Sequence, residues 1–454
     1  MKNIALYIPE IKNCLKNGKF SELSEILEYI YPVDLADEWH EFEETERIVL
    51  FNTLIFDKKV EVFERLTLEE QKEIIDSITT NRLAEILNEM ASDERVDLFE
   101  QLPEEEVSKL FSLMKEEEVE DVKDLLEYGE QTAGGKMTTE FISLKPDMSA
   151  REALLMLQES VNTKEVKNIY ALYEVDSSGR VTSGITLQRL IASNPEDKIR
   201  NITKSVDNII VHYNQDQEEV ARLFTHYDLL SAPVVDDSGK LLGIITVDDI
   251  VDVIHQEATE DIAKMAGTGR EELLSESVFK IFKIRWPWLF ASWIGGLIAL
   301  SVIGIFETTL MEAVAVAAFI PVIMGMGGNI GVQSSTIIVR GLALGKIDLE
   351  EVGKTVLKEI KVGLILGISY GLLLGLVAHL KYSSGTNLGL IGVVAGVGIC
   401  LSMTIAATLG AFLPIIFKKI NIDPAVATGP IVTTIIDIVG LSVYFILATL
   451  ILIK

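Results

Sequence analysis

Cysteine and histidine are scarce in this chain. Its two cysteines, Cys14 and Cys400, lie in opposite halves, which excludes a disulfide framework and any Cys-x-x-Cys metal site. The five histidines (His40, His212, His226, His255 and His379) form no cluster and no nucleophile motif appears, so neither a copper or zinc pathway nor an enzyme is expected. Positive charge is short as well, with 40 Lys and Arg against 68 Asp and Glu, a net −28 over 454 residues. That balance excludes a nucleic-acid binder working through a basic face. The opening stretch MKNIALYIPEIKNCLKNGKF carries charges through its apolar part and no cleavage site, so no signal peptide is expected.

Acidic and apolar residues are plentiful, but they are kept apart. Residues 1–283 hold 60 acids and 30 bases, whereas 284–454 hold 8 acids and 10 bases. An average-composition soluble enzyme is excluded by that division. Five segments, near 285–306, 312–339, 361–380, 387–417 and 425–453, reach the roughly 20 residues a helix needs to cross a hydrocarbon core. Glycines in the second and fourth predict kinks or tilts. The 340–361 connection contains Arg340, Lys346, Lys354, Lys358 and Lys361, and the 418–423 connection contains Lys418 and Lys419. Basic connections favour the cytoplasmic side, so the amino-terminal half is expected in the cytosol and the carboxyl end outside a plasma membrane. Trp286, Trp288 and Trp293 suit an interfacial belt at the first span.

The residues a bilayer penalises carry the chemistry. Asp437, in IVTTIIDIVGLSVYF, stands near the middle of the fifth span with no basic residue within ten positions. A carboxylate at that depth costs roughly 2.5–3.5 kcal/mol and usually marks an ion or proton pathway; the plainer reading is a structural acid bonded inside the bundle. Thr433 and Thr434, one turn earlier, offer hydroxyls or bond back to their own helix. The second span, FIPVIMGMGGNIGVQSSTIIVRG, combines Pro321 and four clustered glycines with Asn329, Gln333, Ser334 and Ser335. Irregular backbone at this depth is tolerated where it lines a wet cavity. Close packing through Gly327 and Gly331 is the alternative, but it does not ask for Asn329 and Gln333. The segment therefore reads as pore lining, with Asn329, Gln333 and Thr433 along the path. A carboxylate among amides, hydroxyls and carbonyls is hard-cation chemistry. It suits Mg²⁺, which keeps its waters and is held through them by one or two carboxylates.

In the acidic half, YEVDSSGRVTSGITLQRLI (173–191) matches PVVDDSGKLLGIITVDDIV (233–251) at a constant offset of 60. Each copy reads as strand, Ser-Gly turn, strand and helix, preceded by a helical stretch. The repeat resembles a tandem pair of CBS domains. On that resemblance, Thr246 and Asp249 match the T-x-x-D that holds an adenosine ribose, whereas the first copy has Thr186 followed by Arg189. Ser238-Gly239-Lys240 lacks the glycine-rich lead-in of a phosphate loop. Residues 1–130 show apolar residues at three and four spacing with Glu pairs at helix starts, which predicts stacked short helices in a small superhelix.

Between these parts, ITVDDIVDVIHQEATEDIAKMAG sets Asp249 and Asp252 on one helical face, then Glu257, Glu260 and Asp261 on another. Like charges so placed destabilise their helix, and a divalent ion bridging them reverses the sign; the plainer reading is an exposed acidic linker. EELLSESVFKIFKIRWPW then reads as an amphipathic helix running directly into the membrane.

The expected whole is a multi-domain membrane protein: an all-α superhelical domain (1–130), an α/β tandem CBS pair (131–257, divided near 199/200), a connecting helix (258–284) and a five-helix transmembrane domain (285–454). That order, with PVIMGMGGNIGVQSST and DPAVATGPIVTTIIDIVG, resembles the MgtE family of Mg²⁺ channels and transporters. The resemblance implies a homodimer with its pore between protomers and Asp437 at a central Mg²⁺ site. It also implies regulatory Mg²⁺ on Asp249, Asp252, Glu257, Glu260 and Asp261, to which Asp93, Asp216, Glu218, Asp228 and Asp423 are added by position. ATP at the CBS pair is implied by the same route. Two other readings stand beside this one: a proton- or sodium-coupled exporter using Asp437, and a membrane-anchored adenosine-nucleotide sensor without transport.

Overall fold

The structure, a computed structural model, describes residues 4–162, 169–273, 275, 277–347, 352–382 and 389–453. Outside them lie 348–351 in the basic connection, 387–388 at the start of the fourth expected span, and Leu274 and Glu276 of the connecting stretch. The chain divides into two compact units, Met1–Val251 and Asp252–Lys454.

The first unit opens with a succession of short α-helices between Ile8 and Leu125. Local chemistry starts them. Thr67 and Glu70 close a capping box, with the Glu70 carboxylate accepting from Thr67 N at 3.0 Å. Glu104–Glu106 and Glu116–Glu118 place three carboxylates in the first turns of the helices Glu104–Phe111 and Glu116–Leu125, where the helix dipole favours negative charge. The helices then bury apolar residues such as Leu50 and Phe51, Val60 and Phe63, and Leu83 and Ile86, packing largely on the next helix but one. The predicted run of short helices is therefore present.

Two three-stranded sheets follow: β1 (Ser143–Leu144), β2 (Ala171–Val175) and β3 (Val181–Thr186), then β4 (Val211–His212), β5 (Ser231–Val235) and β6 (Leu241–Thr246). In each sheet the first strand runs parallel to the second, which pairs antiparallel with the third. The offset seen in the sequence is kept in the register, since Ala171 opposes Thr186 and Ser231 opposes Thr246. Both sheets shift register at the same place, between Glu174 and Val175 and between Val234 and Val235. Gly179 and Gly239 take φ near 80° in the two Ser-Gly turns, a conformation that favours glycine. The turns then join the copies: Val181 N donates to Gly239 O at 3.2 Å and Leu241 N to Gly179 O at 3.0 Å.

The connecting stretch differs from expectation. A helix runs from Val247 to Ala266 and stops at Gly267, whose φ is +77°. A short 3₁₀ turn, Arg270–Glu272, precedes a new helix that starts at Val278 and continues to Ile305 as the first membrane span. The predicted helix over 258–284 is thus two pieces of two different helices. Arg285 clamps the turn between them, with its Nε donating to Glu272 at 2.9 Å.

Five helices are long and apolar enough to cross a membrane: Val278–Ile305, Val314–Ala343, Val352–Tyr382, Leu390–Lys419 and Pro424–Leu452. The glycines of the second span do not break it, because the α-helix runs without interruption from Ile320 to Ala343. Gly327 and Gly331 serve contact instead. A Cβ on Gly410 of the fourth helix would lie 2.3 Å from Gly331 O of the second. The third and fourth helices meet the same way, since a Cβ on Gly371 would lie 2.6 Å from Gly396 O and one on Gly396 2.7 Å from Gly371 O. Small residues there let the two backbones touch, as helices in lipid commonly require.

Candidate metal sites

In the membrane unit, Asp437 lies near the middle of the fifth helix, Gly429–Leu452, and is half-buried. Among the described residues, no hydrogen bond or ion pair satisfies its carboxylate. Its neighbours on the helix are tied inward. Thr433 donates to its own helix at Gly429 O (2.9 Å) and Pro430 O (3.2 Å), leaving hydroxyl lone pairs free to accept. Thr434 packs its methyl against Gly295 of the first helix, and Ile436 fills the notch at Gly331 of the second. Asn329 and Gln333, one turn apart on the second helix, are exposed on the surface of the chain, opposite its glycine contacts. Within this chain they make no hydrogen bond to Asp437 among the described residues.

The start of the fifth helix is joined to the end of the helix Val247–Ala266. Gly429, at φ +52°, approaches so closely that a Cβ would lie 2.3 Å from Met265 O, and one on Gly267 would lie 2.7 Å from Pro430 Cγ. Lys264 completes the joint by bridging two acids, Glu260 on its own helix and Asp423 at 2.6 Å. Asp423 also caps the turn Pro424–Ala427 by accepting from Ala425 N at 2.8 Å. Burial opposes the Lys264 charge, but the bonds to Asp423 and Glu260 outweigh it and raise its pKa. Two acids expected to bind a regulatory cation therefore hold a lysine. Their partner lies 159 residues from Asp423, and sequence reasoning missed it.

A second group of carboxylates lies in the first unit. The helix Ser92–Glu100 begins beside the segment leading into β1. Ser92 Oγ lies 3.0 Å from Thr138 Oγ1 and accepts from Thr139 N at 3.1 Å. Asp93, Glu94 and Asp249 come within electrostatic reach of one another there, with Glu64 acting on Asp93 and Glu94. Asp93 Oδ1 is fully buried with no hydrogen-bond partner among the described residues. Thr246 Oγ1 donates to Asp249 Oδ2 at 2.7 Å, so the T-x-x-D pair is bonded to itself. Burial raises the pKa of Asp93 and of Asp249, with the neighbouring acids adding to it. Glu94, missed by the sequence reading although it follows Asp93, is pushed up to about 8 by burial, then by Asp93, Glu64, Asp97 and Asp249. Carboxylates gathered this way take up protons or a divalent cation.

The remaining acids are apart from these groups. Asp252 is exposed one turn beyond Asp249, and Glu257 and Asp261 are half-exposed on the same helix. Asp216 caps the helix Gln217–Tyr227 by accepting from Glu218 N at 2.8 Å, and Asp228 ends it at φ +51°. At ~1.5 Å per residue these ends are about 18 Å apart, so Asp216 and Glu218 cannot share an ion with Asp228 of the same chain. Thr186 accepts from Arg189 N at 3.4 Å and serves as a helix cap.

Residues 320–447 match the MgtE divalent cation transporter family, 30–131 the MgtE intracellular N domain, and 199–256 a CBS domain. The magnesium transporter MgtE of Thermus thermophilus is 35% identical over 73% of this chain and 72% of its own length. The chain belongs to the MgtE family. The magnesium transporters MgtE of Enterococcus faecalis and Bacillus subtilis are 34% and 32% identical, each covered over 71% of its length. Among solved structures, the cytosolic domain of the Mg²⁺ channel MgtE in complex with ATP is 34% identical, with a TM-score of 0.51 over 54% of this chain and 98% of that one. The soluble part of a magnesium transporter is 31% identical, with a TM-score of 0.52 over 56% and 99%. As an MgtE-family chain, it is a multi-pass membrane protein joined to soluble helical and CBS regions.

Proposed function

We propose that this chain carries Mg²⁺ across the plasma membrane along a path past Asp437, and that cytosolic Mg²⁺ closes that path. The observation that carries the reading is Asp437 itself, half-buried in mid-span and without a partner among the described residues. A hydrated Mg²⁺ supplies the charge such a site needs while keeping most of its waters, and the Thr433 hydroxyl is placed one turn away to accept from one of them. Asn329 and Gln333 lie on an exposed face at membrane depth, where lipid gives amides no partner. A second copy forming a homodimer, with the pore between protomers, supplies a wet surroundings for that face.

The division of labour follows the expected domains: 1–130 and the CBS pair (131–257) sense the ion in the cytosol, the stretch 258–284 transmits, and 285–454 conducts, with the carboxyl terminus outside. Asp93, Glu94 and Asp249 are one sensing group, whose mutual repulsion a divalent ion removes. Asp252, Glu257, Asp261, Asp216, Glu218 and Asp228 take Mg²⁺ through contacts a second protomer completes. Glu260 and Asp423 do so by exchanging Lys264 for the ion. ATP binds at Thr246 and Asp249, whose mutual bond leaves acceptor lone pairs on both groups. The chain is a transporter without enzymatic chemistry.

The test is Mg²⁺ flux into liposomes containing the purified chain. Asp437→Ala abolishes flux if the reading holds; flux at the parent rate overturns it. Uptake by the parent that stops when proton and sodium gradients are removed would favour coupled transport instead.

A further inference from the structure

The membrane unit holds a second buried acid that lies away from Asp437. Glu359, in the third helix, is 8% exposed, while its neighbours Lys358 and Lys361 are exposed. It continues the buried stripe of Gly363, Gly367 and Gly371 that packs on the fourth helix. Where that stripe would call for another small residue, the chain places a carboxylate. Its partner is on a different helix: Ser334 Oγ of the second helix donates to Glu359 Oε2 at 2.8 Å. A buried carboxylate with such a bond costs too much to be kept for packing alone, since an apolar residue of similar size would fill the space without desolvating a charge.

Ser334 is the residue after Gln333 and stands a turn and a half from Asn329. Its buried side and the exposed amide side of the second helix are fixed relative to each other by the helix itself. A bond that pins Ser334 to the third helix therefore sets where Asn329 and Gln333 point. Gly331, one turn earlier, meets Gly410 through backbone and the Ile436 side chain, and Ile323, Ile330 and Ile338 pack beside it, all contacts of shape without a directional bond. The hydroxyl-to-carboxylate bond adds a directional constraint that apolar packing does not supply.

We infer that Glu359 is a positioning residue for permeation: through Ser334 it sets the rotation of the second helix and so the aim of Asn329 and Gln333. The inference rests on the reading that those amides line the ion path. Glu359 touches no ion.

The experiment measures Mg²⁺ and Co²⁺ flux of the full chain in liposomes, with thermal stability in detergent followed in parallel. Glu359→Gln keeps an acceptor oxygen for Ser334 and holds flux of both ions within about twofold of the parent. Glu359→Leu lowers Mg²⁺ flux at least tenfold and changes the Mg²⁺ to Co²⁺ ratio. Ser334→Ala, which removes only the hydroxyl, changes the ratio in the same direction, and the double variant Glu359→Leu/Ser334→Ala is no worse than Glu359→Leu, as expected for one shared bond. Variants that lose thermal stability with an unchanged ion ratio overturn the inference by showing a structural role only. Glu359→Gln behaving like Glu359→Leu overturns it by showing that charge matters rather than the bond. Asn329→Ala and Gln333→Ala are the separate control on the underlying reading. If both conduct as the parent does, the amides do not line the path, whatever Glu359 does.

Discussion

Neutralising Glu94 should make the protein more stable, by an amount that grows as pH rises from about 4.5 to about 8. The carboxyl is pushed from its ordinary 4.5 to about 8 by burial, then by Asp93, Glu64, Asp97 and Asp249. At ~1.36 kcal/mol per pKa unit the difference is worth at most ~5 kcal/mol. Side-chain relaxation and water entry reduce that to roughly half, by the screening that keeps effective protein dielectrics well above dry values. The folded chain binds this proton more tightly than the unfolded one. The contribution is therefore full below pH 4.5 and is lost as pH rises through about 8. About five-sevenths of that loss falls between pH 5.5 and 8.5, so for the full chain in detergent with a chelator the soluble-unit Tm should fall by roughly 4–7 °C over this range, taking ~2–4 °C per kcal/mol. Glu94→Gln should flatten that dependence and raise Tm at pH 8.5, with a much smaller gain at pH 5.5. Millimolar Mg²⁺ should give the parent a similar gain at pH 8.5, because an ion bound to the folded state replaces the protons. A parent Tm that is level or rises across this range refutes the account of the cluster. So does a Glu94→Gln variant that melts lower at pH 8.5.

Lys264→Met removes the ammonium between Glu260 and Asp423, so amide exchange at residues 264–270 should accelerate at least tenfold in chelator and return toward the parent rate in millimolar Mg²⁺. Unchanged exchange would mean that the glycine contacts at Gly267 and Gly429 hold the joint by themselves. Gly410→Ala places a methyl 2.3 Å from Gly331 O, where only backbone can give way, and overpacking of that kind costs ~1–3 kcal/mol. Its detergent-solubilised Tm should drop by several degrees, and a Tm equal to the parent's would show that the second and fourth helices separate freely.

Features with a fixed period or a long apolar run were legible before any coordinates. The offset of 60 in the sequence became the shared strand register of the two sheets because alternation and turn chemistry act over a few residues. Asp437 could be singled out because the penalty for an acid in an apolar run depends only on its depth. The glycines of the second span were misread as breaks. Gly331 in a kink and Gly331 in a close contact look alike until Gly410, 79 residues on, is placed beside it. Lys264 was invisible for the same reason, as its partner Asp423 is brought near only by the fold. Glu359 was hidden by company: flanked by Lys358 and Lys361, it resembles the charged edge of a span rather than a buried acid. Glu94 was passed over because Asp93 occupied the matching position.

The backbone contact between the third and fourth helices has a mechanical consequence. With no side chains between Gly371 and Gly396, nothing there can repack to absorb displacement, so these two helices move as one strut. The joints that can shear are those filled by side chains, such as Ile436 against Gly331 and Thr434 against Gly295, and both belong to the helix that carries Asp437. Any opening of the bundle is thus concentrated on the fifth helix, whose first turn meets Met265 at Gly429 and whose preceding turn is held to Lys264 by Asp423. A pull of a few ångströms on that fastening is delivered to the ion-binding helix, while the strut stays still.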